Sequence, residues 1–230
     1  MRSRWWLAAA LVGCASDEPD PAFFGGGADA RVILADAATR DAQVADASMG
    51  MGMDAAVVAE PGAEVGRLAG FTAAHNRARA KVSSEPPLAP LAWSNEIALV
   101  AQAYAEQLAS TCLDTLTHSN ARNGWGENLA SFGVQGGTGL EPNGSAAGTV
   151  ELWESELACY TFGPFQSGTN ATCSAACERF GGCGHYTQLV WRSTQRVGCG
   201  VASCTAGGWR RSYWVCNYDP AGNYNGQEPY

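Results

Sequence analysis

No stretch of this 230-residue chain holds the roughly 18 consecutive apolar residues that a membrane-spanning helix needs. The sequence therefore predicts no helical membrane span. Basic residues are few, with 14 Lys and Arg against 22 Asp and Glu and a net charge of −8. From Arg67 onward ten bases face twelve acids. The electrostatic footprint of a nucleic-acid binder is missing, and no nucleic acid is expected as a partner. Histidine is scarcer still: His75, His118 and His185 are the whole supply. Imidazole chemistry must use one of these three. The Gly-x-Ser-x-Gly turn that exposes a hydrolase nucleophile is absent. Cysteine is plentiful by contrast, at nine residues. Cys14 stands alone near the start, and eight more run from Cys112 to Cys216. A reducing cytosol would not sustain that even set as disulfides.

Composition divides the chain at residues 14 and 66. In Met1 to Cys14, Arg2 and Arg4 precede a short apolar run, Trp5 to Val12. This is the pattern of an export signal. The run ends Leu11-Val12-Gly13-Cys14, which resembles the bacterial lipobox. That resemblance implies a lipoprotein, lipidated at Cys14 and held to a membrane of the outer cell envelope by its acyl chains. Lipidation would also remove the odd thiol. Residues 15–66 carry ten acids and two bases, with Asp-Ala repeated five times. Such a segment cannot bury enough apolar surface to offset its ordering entropy. It reads as a disordered tether spanning roughly 40 Å. Met49, Met51 and Met53 form a pattern that could hold a soft cation, although linker composition is the better explanation.

Residues 67–230 read as one domain. Leu68, Phe71, Ala74 and Ala78 recur at helical spacing. Ser94 is positioned to cap a second helix carrying Ile97, Val100, Ala101, Tyr104 and Leu108. A third helix is expected over Ala146 to Cys159. Ser131 to Thr149, Gly-rich and without periodicity, reads as a long loop. Strands are expected at His185–Trp191, Val197–Cys204 and Ser212–Tyr218, punctuated by Gly198, Gly200 and the Ala206-Gly207-Gly208 turn. Helices followed by strands predict an α+β fold with a small antiparallel sheet covered by helices.

Two strings are more specific. One is Gly184-His185-Tyr186-Thr187-Gln188-Leu189-Val190-Trp191. The other runs Tyr213-Trp214-Val215-Cys216-Asn217-Tyr218-Asp219-Pro220-Ala221-Gly222-Asn223-Tyr224. Both resemble signature motifs of the CAP superfamily, the SCP domain of cysteine-rich secretory proteins, antigen five and pathogenesis-related group one proteins. His75-Asn76-Arg77-Ala78-Arg79, His118-Ser119 and Gly126-Glu127-Asn128-Leu129-Ala130 agree in order. The resemblance implies a three-layer α-β-α sandwich. It implies disulfides Cys199–Cys216 and Cys112–Cys204, matches Cys177–Cys183 to a short plant-type loop, and leaves Cys159 and Cys173 over. Spacing alone does not settle the pairing of the last four.

The resemblance also implies a cleft lined by His118, Glu127, Glu156 and His185. Glu156 follows Trp153 by three residues, as the family pattern requires. Glu154 would face another side of the helix. Imidazole nitrogens and carboxylates are good ligands for Zn²⁺ and similar divalent cations. The same four groups would equally make a self-satisfied polar cluster. His75 reads as a core residue. Ser119 lies beside His118, but adjacent residues rarely face one another productively. Asn143-Gly144-Ser145 and Asn170-Ala171-Thr172 match the glycosylation sequon, which is without meaning in a bacterial lipoprotein. The expected function is an exported, surface-tethered monomeric binding module for a sterol, a fatty acid or a cell-surface partner. The alternatives are a metal-assisted hydrolase or protease using the four cleft residues, and an interaction-only adhesin.

Overall fold

The structure, a computed structural model, describes residues 8–12, 60–136 and 144–230. Cys14, the methionine pattern, the Asn143 sequon position and nearly all of the segment read as a tether lie outside the described residues. In chain order the elements are β1 (Ala8–Val12), α1 (Phe71–Ala80), β2 (Ala92–Trp93), α2 (Asn95–Thr111), β3 (Gly126–Gln135), α3 (Ala146–Glu154), α4 (Gly184–Leu189), β4 (Arg196–Ala206) and β5 (Trp209–Asp219). Two 3₁₀ stretches, Ser155–Cys159 and Ala175–Phe180, join α3 to α4. The strands make one sheet in the order β1-β3-β5-β4-β2. It is antiparallel except where the two-residue β2 runs parallel to β4, so the small sheet is mixed.

Central strand β5 shows why the domain has three layers. Trp214, Cys216 and Tyr218 point to one face and pack with Phe71, Ala74 and Ala78 of α1, Val150 and Trp153 of α3, and Leu189 of α4. Tyr213 and Val215 point to the other and pack with Ala101, Tyr104 and Ala105 of α2. The period of two along the strand thus feeds two separate cores. Helix α2 begins as expected, with the Ser94 hydroxyl accepting from the Ile97 amide at 3.4 Å. Arg79 pins α1 to the end of α4. Its guanidinium donates to the carbonyl oxygens of Ala89, Leu189 and Trp191 at 2.8, 3.0 and 2.9 Å. Burial, then the neighbouring Arg192, lowers its pKa to about 10.

Four expectations need correction. His185–Trp191 is not a strand. Residues 184–189 form α4, in which every residue is buried. A segment enclosed on all sides shows no amphipathic period, so its β-branched and aromatic content misleads. The long loop is shorter than expected: Ser131–Gln135 continues β3, and α3 begins at Ala146. Gly198 and Gly200 do not punctuate strands; they lie inside β4. A Cβ on Gly198 would sit 2.2 Å from the Ala98 amide nitrogen, and one on Gly200 would sit 2.3 Å from Gln102 Cα. Both are glycine because α2 lies directly on the strand. Gly207 and Gly208 do make the turn, with φ of 57° and 78°, matching a hairpin that needs positive φ at both central residues.

The fourth correction concerns disulfides. Cys112–Cys204 and Cys199–Cys216 form as the resemblance implies. The other two are Cys159–Cys177 and Cys173–Cys183, with Cα separations of 5.9 and 5.7 Å. Cys177 and Cys183 are not joined to each other. The 3₁₀ turn at 175–180 carries Cys177 towards the Ser155–Cys159 stretch, and the Tyr160–Cys173 bridge lays Cys173 beside that chain. Four disulfides indicate an oxidising compartment outside a reducing cytosol.

Candidate functional site

The four cleft residues come together in two pairs. His118 Nδ1 lies 2.7 Å from Glu127 Oε1, and His185 Nδ1 lies 2.5 Å from Glu156 Oε1. Glu127 starts β3, where register places it opposite Asn217 of β5. It also accepts from the Ser119 amide at 2.9 Å and from Asn217 Nδ2 at 3.3 Å. Glu156 stands in the 3₁₀ stretch after α3, fully buried, and its second oxygen accepts from the Tyr186 amide at 2.9 Å. Glu154 points elsewhere, to Lys81 Nζ at 2.7 Å. Trp153 stacks on His185, with centroids 6.1 Å apart and planes within 8°.

An ionised carboxylate only accepts, so each Nδ1 presents its N–H to its glutamate. A metal would be bound through Nε2, the ring nitrogen turned away from the carboxylate. His185 Nε2 is buried and has no partner among the described residues. Both carboxylates already serve their histidines, so four direct ligands around one point are not what the side chains build. No group of three or more His, Cys, Asp or Glu is arranged to hold an ion among the described residues. The arrangement fits carboxylates that orient imidazoles.

His75 completes a network behind this cluster. Its Nδ1 donates to the Phe71 carbonyl at 2.8 Å, and its Nε2 accepts from Tyr218 Oη at 2.9 Å. Asn128 Nδ2 donates to Tyr218 Oη at 3.1 Å and to the His185 carbonyl at 3.2 Å. Burial, offset in part by the Phe71 hydrogen bond, lowers the His75 pKa to about 4. His75 is thus a neutral core residue.

Two cavities flank α4. The cleft, about 350 Å³, has His118, Ser119, Glu127, Gln188 and the 221–225 segment on its walls. Glu156 and His185 are absent from its lining and lie buried beneath. Gln188 knits the two signature strings: its Oε1 accepts from the Gly222 amide at 2.9 Å and its Nε2 donates to Thr194 at 3.2 Å. Gly126 is glycine because a Cβ there would sit 2.1 Å from Gln188 Oε1. Asn223 donates to the Gly184 carbonyl at 2.8 Å and meets Thr187 Oγ1 at 2.7 Å. Sequence reasoning did not single out Gln188, Asn223 or Asn128, although each lies in a quoted string. The Ser119 hydroxyl accepts from the Ala121 amide, which gives no sign of a nucleophile held by His118.

The second cavity is a groove of about 510 Å³ between the ends of α1 and α3 and Tyr186 of α4. Ala78, Val82, Leu157, Phe162, Tyr186 and Tyr230 supply its apolar walls, and Lys81, Ser83, Ser84, Glu85, Glu154 and Arg192 make up the rest of its lining. Burial, then the neighbouring Tyr230, pushes the Tyr186 phenol well above its ordinary range, so it is neutral.

Fold and paired cleft together define a CAP domain. The family described as "Cysteine-rich secretory protein family" matches residues 72–218, and the chain belongs to it. Pathogenesis-related protein 1A of Nicotiana tabacum is 43% identical over 157 residues, covering 68% of this chain and 77% of that protein. Pathogenesis-related protein 1 of Arabidopsis thaliana is 41% identical over 160 residues, covering 70% and 80%. Among solved structures, BmVAL-1 superposes with a TM-score of 0.51 at 26% identity, covering 70% of this chain and 79% of that one.

Proposed function

We propose that the domain is an exported binding module whose α1–α4 groove takes the hydrocarbon chain of a fatty acid or the body of a sterol. One observation carries this reading: Leu157 and Phe162 remain 45% and 49% exposed at the rim of a cavity whose inner walls are apolar. The groove's volume lies within the range of about 300–1,000 Å³ typical of ligand cavities, and the polar half of its lining suits an amphiphile's head. Lipidation at Cys14 would follow cleavage after Gly13, which removes β1 from the edge of the sheet, and the tether would then hold the module at the outer envelope. The test is a titration of the full chain with a fluorescent fatty acid and a fluorescent sterol. Saturable binding to either, weakened about tenfold or more by Leu157→Asp with Phe162→Asp, supports the reading. Absence of saturable binding to both removes it.

The partnerless His185 Nε2 favours a second reading, a divalent cation such as Zn²⁺ held through imidazole. A cation bound there would supply Lewis-acid chemistry for hydrolysis only to a substrate that reached this buried ring, which is absent from the cleft lining. His185 would supply Nε2, and Glu156 would fix the ring and its tautomer. Stoichiometric zinc in the purified protein, lost in His185→Ala, supports it. Unchanged metal content in that variant argues against it.

A further inference from the structure

We propose that the cleft above Glu127 is a binding site for a neutral saccharide; this rests on the reading of the domain as a binding module. The lining contains one guanidinium, Arg122, and one carboxylate, Glu127. Arg122 Nη1 donates to the Ser119 carbonyl at 2.5 Å and its Nε to the Trp125 carbonyl at 3.2 Å. Glu127 is taken up by His118, the Ser119 amide and Asn217. The one guanidinium and the one carboxylate offset each other and both are engaged inside the protein, so the lining gives a strongly charged ligand no unbalanced acid or guanidinium to pair with. Nor is it an acyl pocket, because its floor is the Gln188 amide and the glycines Gly126 and Gly222.

What projects into solvent is of another kind. Tyr224 keeps a half-exposed ring, 50% accessible, on the cleft wall, and Trp125 is half-buried beside the turn at Gly124. Asn120 and Asn225 are exposed on the same lining. A carboxamide both donates and accepts, as a sugar hydroxyl does. An aromatic face covers the apolar side of a sugar ring at little conformational cost. Two rings and two amides around a neutral floor of about 350 Å³ fit a ligand of one or two pyranose units. Asn223, at φ of 60°, is held to α4 by its side-chain bonds, and Tyr224 and Asn225 follow it directly in the chain.

The test is calorimetric titration of the full chain at millimolar concentrations of cellobiose, N,N′-diacetylchitobiose and mannobiose. A neutral triglycine peptide and a sulfated disaccharide serve as competitors of other chemistry. One neutral disaccharide should bind saturably, and Tyr224→Ala and Asn225→Ala should each weaken it about tenfold while fatty-acid binding is unchanged. Tyr224 and Asn225 are exposed, so the fold survives both changes. Absence of binding to all three disaccharides overturns the proposal. So does binding indifferent to both variants, or a preference for the peptide or the sulfated sugar. If the disaccharides fail while the fatty acid still binds, only this inference falls. If the fatty acid and the sterol fail as well, the binding-module reading falls with it.

Discussion

Glu156 holds His185 and the backbone amide that follows it with a single buried carboxylate, Oε1 on the ring at 2.5 Å and Oε2 on the Tyr186 amide at 2.9 Å. One side chain thus orients the buried His185 ring and the start of Tyr186, a wall of the groove. Removing it as Glu156→Ala strands an imidazole and an amide in the core, and should cost about 1–3 kcal/mol for each group left unpaired. Two residues away, Glu154 pairs with a Lys81 side chain that is 63% exposed. Glu154→Ala should cost no more than about 1 kcal/mol. Urea unfolding of the two variants reads the contrast directly, and equal losses would contradict it.

The buried His75 gives the fold an acid sensitivity. Its pKa is about 4 in the folded chain against 6.5 in the unfolded one. The unfolded state therefore binds the extra proton first. The stability contributed by keeping His75 neutral is fully present above pH 6.5 and is lost as pH falls towards 4. The loss is on the order of 3 kcal/mol. Carboxylates titrate over part of the same range, so the comparison is with His75→Gln. Urea midpoints at pH 7 and pH 4 should fall more in the parent than in the variant; equal falls would show that His75 is not the group responsible.

The helix layer lies so close to the sheet that a single methyl group is too much. Gly200→Ala places a Cβ against the α2 backbone at Gln102, a contact that no side-chain rotation relieves. The expected loss is at least about 1–3 kcal/mol, seen as a lowered thermal midpoint. Gly207→Ala, whose added Cβ meets nothing within 4 Å, should lose less, limited to the strain of its positive φ.

Peptide mapping under non-reducing conditions should recover Cys159 linked to Cys177 and Cys173 linked to Cys183. Recovery of Cys177 with Cys183 would contradict the structure. Opening Cys112–Cys204, which closes a separation of 92 residues, should cost about 2–5 kcal/mol.

Legibility in the sequence followed the physics of each segment. Helix α2 was readable because one face is buried and its cap is a serine. Strands β4 and β5 were readable from their Val, Tyr and Trp content and the Gly-Gly turn between them. Helix α4 was not, because burial on every side erases the period that separates helix from strand. Strand β3 was hidden for a related reason: it is buried along most of its length, so it shows no alternation. The four cleft residues could be named only through family motifs. That each histidine would be taken by one carboxylate, two by two, depends on the meeting of β3, α4 and the turn after α3. No local pattern encodes that meeting. The Gly198 and Gly200 signals were visible, but their cause was a helix 100 residues earlier in the chain.

The most direct test of the functional account is a crystal structure of the full chain grown with a saturating long-chain fatty acid. The account predicts continuous density along the groove, in contact with Ala78, Leu157, Phe162 and Tyr186 and with the acid's head beside Lys81 and Arg192. Density confined to another surface, or a groove closed by its own side chains with the acid left in solvent, would contradict it.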